Sequence, residues 1–277
     1  MGKLILNNYV LIVIMIGTTL IGIISGILGS IITLRKEALI GNALAHASFP
    51  GVMLSFMIIK TKNIELLLIG AGFFSIISLV IIKIIKKYSK IKYDSALALV
   101  LSGFFGLGQV LLSIIQNTGN SNQAGLEKFI FGEVATILSS DIQIISIISI
   151  TIILIVVLFR KEIKLFIFDK EFYKSLGFSC EFLDNLIILL TVIVIMMGIR
   201  FVGVILMTSI LIAPGIAARQ WSNSFYKNLV LSGLFGGLAG FVGTFISFKN
   251  SDLSIGPIIV VVVSLIAIIS IFLKKVK

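Results

Sequence analysis

The sequence predicts an all-α, polytopic membrane protein. Its residues are 58% hydrophobic and only 13% charged, and its mean hydropathy is +1.18, whereas a soluble domain is typically ~45–50% apolar and ~25% charged. Several apolar runs approach or exceed the roughly 20 residues that a helix needs to cross a bilayer. The period-two alternation of an outer-membrane barrel is absent. These observations exclude a soluble protein.

Charged clusters divide the apolar sequence into segments that each predict one transmembrane helix. The second and seventh segments each contain a proline and several small or polar residues, so we expect eight or nine helices within a single transmembrane domain of residues 1–277. The first is too long for the h-region of a signal peptide. The predicted helices are Tyr9–Leu34, Ala38–Ile59, Ile64–Ile85, Ser95–Ile115, Ile142–Phe159, Leu183–Ile199, Phe201–Ala218, Leu229–Phe248 and Gly256–Leu273.

The basic residues orient these helices. Of the 23 lysines and arginines, 17 fall on one set of connections and six on the other, and the richer side is expected to be cytoplasmic. The C-terminus is then inside the cell, while the N-terminus is outside with nine spans and inside with eight. The net charge of +11 therefore reflects topology, because no soluble basic domain is present to bind nucleic acid.

Two connections are long enough to have a role of their own. The outer one, Gln116–Ser140, contains an apolar stretch, Leu126–Leu138, that is too short to span the membrane. This stretch predicts a short helix that either dips into the outer surface or serves as an interfacial anchor. The two interpretations are equally compatible with the sequence.

The inner connection, Arg160–Asp184, predicts a short cytoplasmic helix with Asp169 as its N-cap and Gly177 as its C-cap. Either this helix docks into a groove of a partner protein, or it lies in the lipid headgroup layer, which its lysines would also suit. The apolar side chains expected to be exposed favour the partner. They are Phe168, Phe172, Tyr173 and Leu176.

Small residues and a proline mark the last third of the chain. The pairs Gly233/Gly237 and Gly236/Gly240 form overlapping Gly-xxx-Gly patterns, which allow helix backbones to approach closely. Gly22, Gly26 and Gly29 form a similar pattern in the first helix. Pro214 lies within an apolar helix, where it frees backbone carbonyls, and broken helices of this kind often border a translocation path.

His46 is the only histidine of the chain, and Asn42 precedes it by four residues. On a helix this spacing places the amide oxygen and the imidazole on one face, where they could contact a divalent metal ion at membrane depth. The alternative is a hydrogen-bonded polar pair between packed helices. The spacing alone favours this structural alternative.

The sequence lacks the motifs that are typical of several kinds of chemistry. The sequence has no phosphate-binding Gly-x-x-x-x-Gly-Lys-Ser/Thr loop, no His-Glu-x-x-His and no Gly-x-Ser-x-Gly. Cys180 is the single cysteine, which excludes a disulfide framework and a cysteine-based metal cage. Acidic residues within the predicted spans are scarce, although ion-coupled carriers usually need them. The sequence therefore predicts a conduit that is not an enzyme and takes its energy from another protein.

Four segments, in order, resemble the membrane subunit of bacterial ABC importers for manganese, zinc or iron, the ABC-3 metal permease family. In the first segment the family has a basic pair, then Gly-Asp-Ala-x-x-His-Ala and Pro-Gly, and this chain has Asn42 where the family usually has Asp. The third resembles the family's cytoplasmic coupling segment. The four segments are Leu34–Gly51, Asp94–Gly108, Phe168–Gly177 and Arg200–Arg219.

The resemblance implies a permease of the bacterial cytoplasmic membrane that is powered by cytoplasmic ABC ATPase subunits and fed by an extracellular or periplasmic metal-binding protein. It also implies a second permease copy or a paralogue, a divalent metal ion as substrate, and no permanently bound cofactor. It makes His46 and Asn42 the candidate metal contacts. The residues expected at helix breaks along the pathway, from their own chemistry, are Pro50, Pro214 and Gly215. The expected ATPase-coupling residues are Asp169, Glu171, Phe172, Leu176 and Gly177.

Two other functions compete with this interpretation. An ion-coupled secondary transporter would work without an ATPase, and the scarcity of acidic residues within the spans argues against it. An ABC permease for a larger metal chelate such as a siderophore would show a wider pathway. The sequence does not name the metal.

Overall fold

The computed structural model describes residues 2–61, 63–117, 139–250 and 253–273. Eleven α-helices and no strand occur in these residues. In chain order they are α1 (Gly2–Leu34), α2 (Leu39–Ile59), α3 (Ile64–Tyr88), α4 (Tyr93–Asn117), α5 (Ser139–Leu158), α6 (Arg160–Phe168), α7 (Lys170–Ser175), α8 (Cys180–Val202), α9 (Val204–Trp221), α10 (Phe225–Lys249) and α11 (Ile255–Leu273).

The prediction of an all-α membrane protein with eight or nine spans is confirmed. Eight helices of the described chain are long and apolar enough to cross a membrane. The predicted span Phe201–Ala218 corresponds to α9, which is not among these eight. The predicted surface helix Leu126–Leu138 lies outside the described residues.

Local sequence signals explain several helix boundaries. The Asn63 side chain caps α3, because its Oδ1 accepts a hydrogen bond from the Leu66 N–H at 3.3 Å. Gly203 alone separates α8 from α9, and its φ of +84° is a backbone conformation that glycine adopts without a steric penalty. This boundary lies slightly later in the chain than predicted. The next helix begins directly after Gly203, without a loop between the two.

The first of two compact units contains α1, α5, α6, α7, most of α8 and α9, α10 and α11 (Met1–Lys36, Val134–Val194 and Ser209–Lys277). Helices α1 and α10 pack backbone to backbone, because a Cβ added to Gly22 would overlap the Gly236 carbonyl. The Thr18 and Thr244 hydroxyls form a buried 2.8 Å hydrogen bond across the same pair of helices. The Gly-xxx-Gly patterns therefore serve helix packing, as expected.

The second unit contains α2, α3, α4 and the adjoining ends of α8 and α9 (Glu37–Glu133 and Ile195–Thr208). Helix α2 packs closely on α3, since a Cβ on Gly51 would overlap the carbonyl of Gly70. It also packs on α4, where a Cβ on Gly108 would collide with the ring of Phe49. These contacts fix the position of α2, the helix that carries Asn42 and His46.

Candidate functional site

His46 and Asn42 lie one turn apart on α2, as their spacing predicts. Both side chains are half-buried, although most of the residues around them in α2 are fully buried. Within the described chain, the His46 Nδ1 is buried and has no hydrogen-bond partner. A buried polar atom without a partner carries an energetic cost, and no group of the described chain offsets that cost for the His46 Nδ1.

Aromatic side chains hold the imidazole in place. The ring of Phe105 on α4 meets the His46 ring edge to face, with centroids 4.9 Å apart and planes at 90°. Phe49 supports Phe105 at a centroid distance of 5.9 Å. The contact between His46 and Phe105 depends on how α2 packs against α4, so no spacing in the sequence predicts it.

Pro50 adds a backbone oxygen to the same turn of α2. Proline has no N–H, so in a helix it leaves the carbonyl four residues earlier without its usual donor. For Pro50, which lies inside α2, that carbonyl belongs to His46. The four-residue spacing between His46 and Pro50 is visible in the sequence and is a signal for the freed carbonyl. The prediction for Pro50 was limited to a helix break.

The donors around His46 do not form a closed metal cage. In the described chain, no three His, Cys, Asp or Glu side chains lie together as a metal-binding group. One imidazole, one amide oxygen and one freed carbonyl are borderline or hard ligands that suit divalent ions of the Mn and Zn type. A site with so few donors from one chain favours a passing ion over a structural one.

The predicted cytoplasmic helix is present as α7, and it directly follows α6. Asp169 caps it as expected, since its Oδ1 accepts a hydrogen bond from the Phe172 N–H at 2.9 Å. Leu176 is the C-cap, and Gly177 follows it with a φ of +82°, the position where helices commonly carry glycine. Glu171 lies in the first turn and is exposed.

The apolar surface of this segment differs from the prediction at one residue. Phe168, Phe172 and Leu176 are 60%, 50% and 51% exposed, as expected. Tyr173 was expected to be exposed and is buried. Its ring packs edge to face on Phe166 at 5.7 Å and stacks on Phe178 at 5.2 Å, so it anchors α7 and leaves a narrower exposed apolar row.

An ion pair connects this segment to the end of α1. Arg35 donates a hydrogen bond from Nη2 to Oδ1 of Asp184 near the start of α8. The guanidinium carbon of Arg35 also lies 5.3 Å from the centre of the Phe166 ring on α6. Arg35 belongs to the basic pair of the first matching segment, but Asp184 is 149 residues away, so no local pattern in the sequence predicts this ion pair.

Pro214 and Gly215 lie inside α9, which continues through them. A Cβ on Gly215 would stand 3.0 Å from the Cα of Ser30 in α1. The structure therefore gives Gly215 a close backbone contact with α1. A pathway role for Pro214 and Gly215 stays a prediction.

The comparisons with known proteins agree with this architecture. A zinc transport system membrane protein, TroC of Treponema pallidum, is 40% identical over 96% of this chain and 90% of its own length. A manganese transport system membrane protein, MntC of Bacillus subtilis, is 39% identical over 92% of this chain and 58% of its own length. The solved structure of PsaBC from Streptococcus pneumoniae in complex with Fab matches with a TM-score of 0.82 and 30% identity, and covers 94% of this chain and 90% of the matched chain.

A more distant structure shares the fold alone. It is described as an inward-facing conformation of a putative metal-chelate type ABC transporter, and it matches with a TM-score of 0.71 at 15% identity. The sequence model of the ABC 3 transport family matches residues 7–274, which is nearly the whole chain. The chain is a multi-pass membrane protein, and it belongs to the ABC 3 transport family.

Proposed function

We propose that this chain is the permease subunit of an ATP-binding cassette importer that carries a divalent metal ion, manganese, zinc or iron, across the bacterial cytoplasmic membrane. The family match and the names of the zinc and manganese relatives support this proposal. The chain forms one permease domain and catalyses no reaction itself. ATP hydrolysis belongs to a separate cytoplasmic subunit, and the metal ion is the substrate.

The observation that carries the metal assignment is a buried imidazole nitrogen on α2 that has no hydrogen-bond partner in the described chain. The His46 Nδ1 is buried without a partner, Asn42 offers an amide oxygen one turn away, and Pro50 frees the carbonyl of His46. Neutral imidazole is a common ligand of divalent transition metals. A passing ion would satisfy the buried nitrogen, which otherwise remains costly within a membrane, and the two oxygens would serve as further ligands.

Weak binding fits a conduit. Asn42 supplies an oxygen but no negative charge, so the ion is held by fewer electrostatic interactions than a carboxylate would provide. Divalent metal ions prefer four to six ligands, and this region of one chain supplies about three. We propose that a second copy of the chain, or a paralogue, supplies the rest.

The family match and one exposed apolar row support the proposed partners. The exposed row Phe168, Phe172 and Leu176 docks into a groove of the ATPase, in the manner of an amphipathic helix that inserts its apolar face. An extracellular or periplasmic metal-binding protein delivers the ion to the opposite side. The scarcity of acidic residues within the predicted spans fits a transporter whose energy comes from ATP.

The proposal is tested by reconstitution of the chain with its ATPase and binding protein in proteoliposomes that are loaded with ATP on the ATPase side. We expect uptake of radioactive manganese or zinc that requires ATP and both partners, and that persists when proton and sodium gradients are collapsed. Uptake by the chain alone that follows an ion gradient would establish a secondary transporter. Uptake of a ferric siderophore but not of the free ion would establish a chelate permease.

A further inference from the structure

A groove of about 260 Å³ lies in the first unit, where α1, α5 and α10 meet near their cytoplasmic ends. Its walls are mostly aliphatic, and the apolar side chains belong to the membrane-spanning parts of these helices. At one end the walls become polar. The lining residues are Ile27, Ile153, Val156, Val157, Arg160, Tyr226, Leu229 and Val230.

Two cations and a tyrosine form the polar end of the groove. The guanidinium carbon of Arg160 lies 5.7 Å from the centre of the Tyr226 ring, and the Lys164 ammonium lies 5.6 Å from the same centre. Arg160 and Lys164 are one turn apart on α6, and both are exposed. Arg160 comes two residues after the end of α5, so its charge lies at the level of the lipid headgroups.

No carboxylate neutralises these charges in the described chain, where neither Arg160 nor Lys164 takes part in an ion pair. Glu162 lies between them in sequence, but residues two apart on a helix do not face each other. One of its carboxylate oxygens is also buried. The polar end of the groove therefore presents two basic side chains, Arg160 and Lys164, to whatever enters from the membrane.

We propose that this groove binds an anionic phospholipid, with one acyl chain along the aliphatic wall and the phosphate between Arg160, Lys164 and the Tyr226 hydroxyl. Basic pockets between transmembrane helices on the cytoplasmic side select anionic headgroups. Arginine binds phosphate oxygens with two parallel hydrogen bonds, and tyrosine suits the boundary between apolar and wet surroundings. The apolar wall matches the acyl chain of such a lipid, and the two basic side chains match its phosphate.

The bound lipid would also contact the segment that leads to α7. Arg160 and Lys164 belong to α6, and Phe168 at the end of α6 contacts Phe225 edge to face at 6.3 Å, next to Tyr226. A phosphate that bridges α6 and α10 therefore holds both helices at the point where α7 begins. Anionic lipid should stabilise the folded chain more than a zwitterionic lipid does.

The test is native mass spectrometry of the full-length chain, purified in detergent and titrated with phosphatidylglycerol or phosphatidylcholine, together with thermal unfolding in each lipid. We expect at least fivefold stronger binding of phosphatidylglycerol, and this preference should vanish in the double variant R160Q/K164Q. The variant K90Q/K92Q removes the same charge from exposed cytoplasmic lysines and should keep the preference for phosphatidylglycerol. Arg160→Lys retains the positive charge and should keep most of this preference.

A second pair of variants tests the apolar wall. Val157→Trp places a large ring in the groove and should weaken binding of both lipids, whereas Leu154→Trp, exposed on the same helix outside the groove, should not. Equal binding of both lipids by the unmodified chain would overturn the proposal, as would inorganic phosphate that displaces phosphatidylglycerol at equal concentration. The proposal would also be overturned if R160Q/K164Q kept the lipid preference but no longer copurified with the ATPase. That result would assign the two cations to protein docking.

Discussion

Asn42 carries no charge, and this affects how strongly the proposed metal site at His46 would attract a divalent cation. Its amide oxygen can coordinate the ion, but only a carboxylate adds the attraction between opposite charges. The chain therefore combines a fixed imidazole, which Phe105 holds edge to face, with a neutral oxygen donor one turn away.

Replacing Asn42 by aspartate should strengthen metal retention without abolishing transport. We expect roughly tenfold tighter binding of Mn²⁺ or Zn²⁺, which corresponds to ~1.4 kcal/mol, together with slower release and so a lower maximal uptake rate. Metal retained by the purified complex after dialysis, and the uptake rate in proteoliposomes, measure the two effects. Asn117→Asp, at the exposed end of α4, is the control. Unchanged retention in Asn42→Asp would remove Asn42 from the metal's path.

Pro50 makes the carbonyl of His46 available, and Pro50→Ala would return the N–H that this carbonyl lacks. We expect higher thermal stability, because the helix regains a hydrogen bond, and a several-fold loss of metal uptake. Pro257→Ala is the matched control, since Pro257 lies in the first turn of α11, where no helical donor is missing. Full uptake by a stabilised Pro50→Ala variant would show that the His46 carbonyl takes no part.

At the scale of helices, α7 is a short element with a buried Tyr173 and an exposed Phe172, and it lies between the exposed Phe168 and Leu176. Tyr173 anchors it through Phe166 and Phe178, and Asp169 caps it. Phe172 is half-exposed. Such an arrangement presents a rigid apolar surface to a partner.

Phe172→Asp should uncouple transport from ATP hydrolysis. A charge in the apolar docking row must lose its hydration on assembly, so the ATPase should dissociate, or hydrolyse ATP without metal uptake, while the chain stays folded. Copurification, ATPase rate and uptake in one preparation measure this. Tyr88→Asp, a 77% exposed aromatic residue at the end of α3, should have little effect. If the Phe172→Asp complex assembles and transports normally, α7 is a lipid-surface helix instead.

The Arg35–Asp184 ion pair connects α1 to α8 beside the α6–α7 segment. Arg35→Gln or Asp184→Asn should each lower the free energy of unfolding by about 1.5–3 kcal/mol, the usual contribution of a hydrogen bond to a charged group. Each should also reduce the metal transported per ATP. Chemical denaturation and parallel ATPase and uptake assays test this. The charge-swapped R35D/D184R variant should recover part of the stability and part of the metal transported per ATP. If it recovers neither quantity, the two side chains act independently.

For the whole molecule, composition and hydrophobic segments were enough to predict an all-α membrane protein, because burial in lipid requires long apolar helices whatever their packing. The spacing of Asn42 and His46 was sufficient to place both on one face of α2. Phe105, Asp184 and the burial of Tyr173 could not be predicted, since each depends on contacts between helices that are distant in sequence. The groove proposed for a lipid could not be predicted for the same reason, because α1, α5 and α10 each contribute only part of it.

The measurement that bears most directly on the proposed metal path is ATP-driven uptake by the fully assembled complex with His46 replaced by alanine. His46 is half-buried and its Nδ1 has no partner in the described chain, so its removal should leave folding, assembly and the basal ATPase rate close to those of the unmodified complex. We predict that manganese or zinc uptake falls at least tenfold while these properties persist. Uptake near the unmodified rate in a well-assembled His46→Ala complex would contradict the proposal and place the metal path elsewhere in the protein.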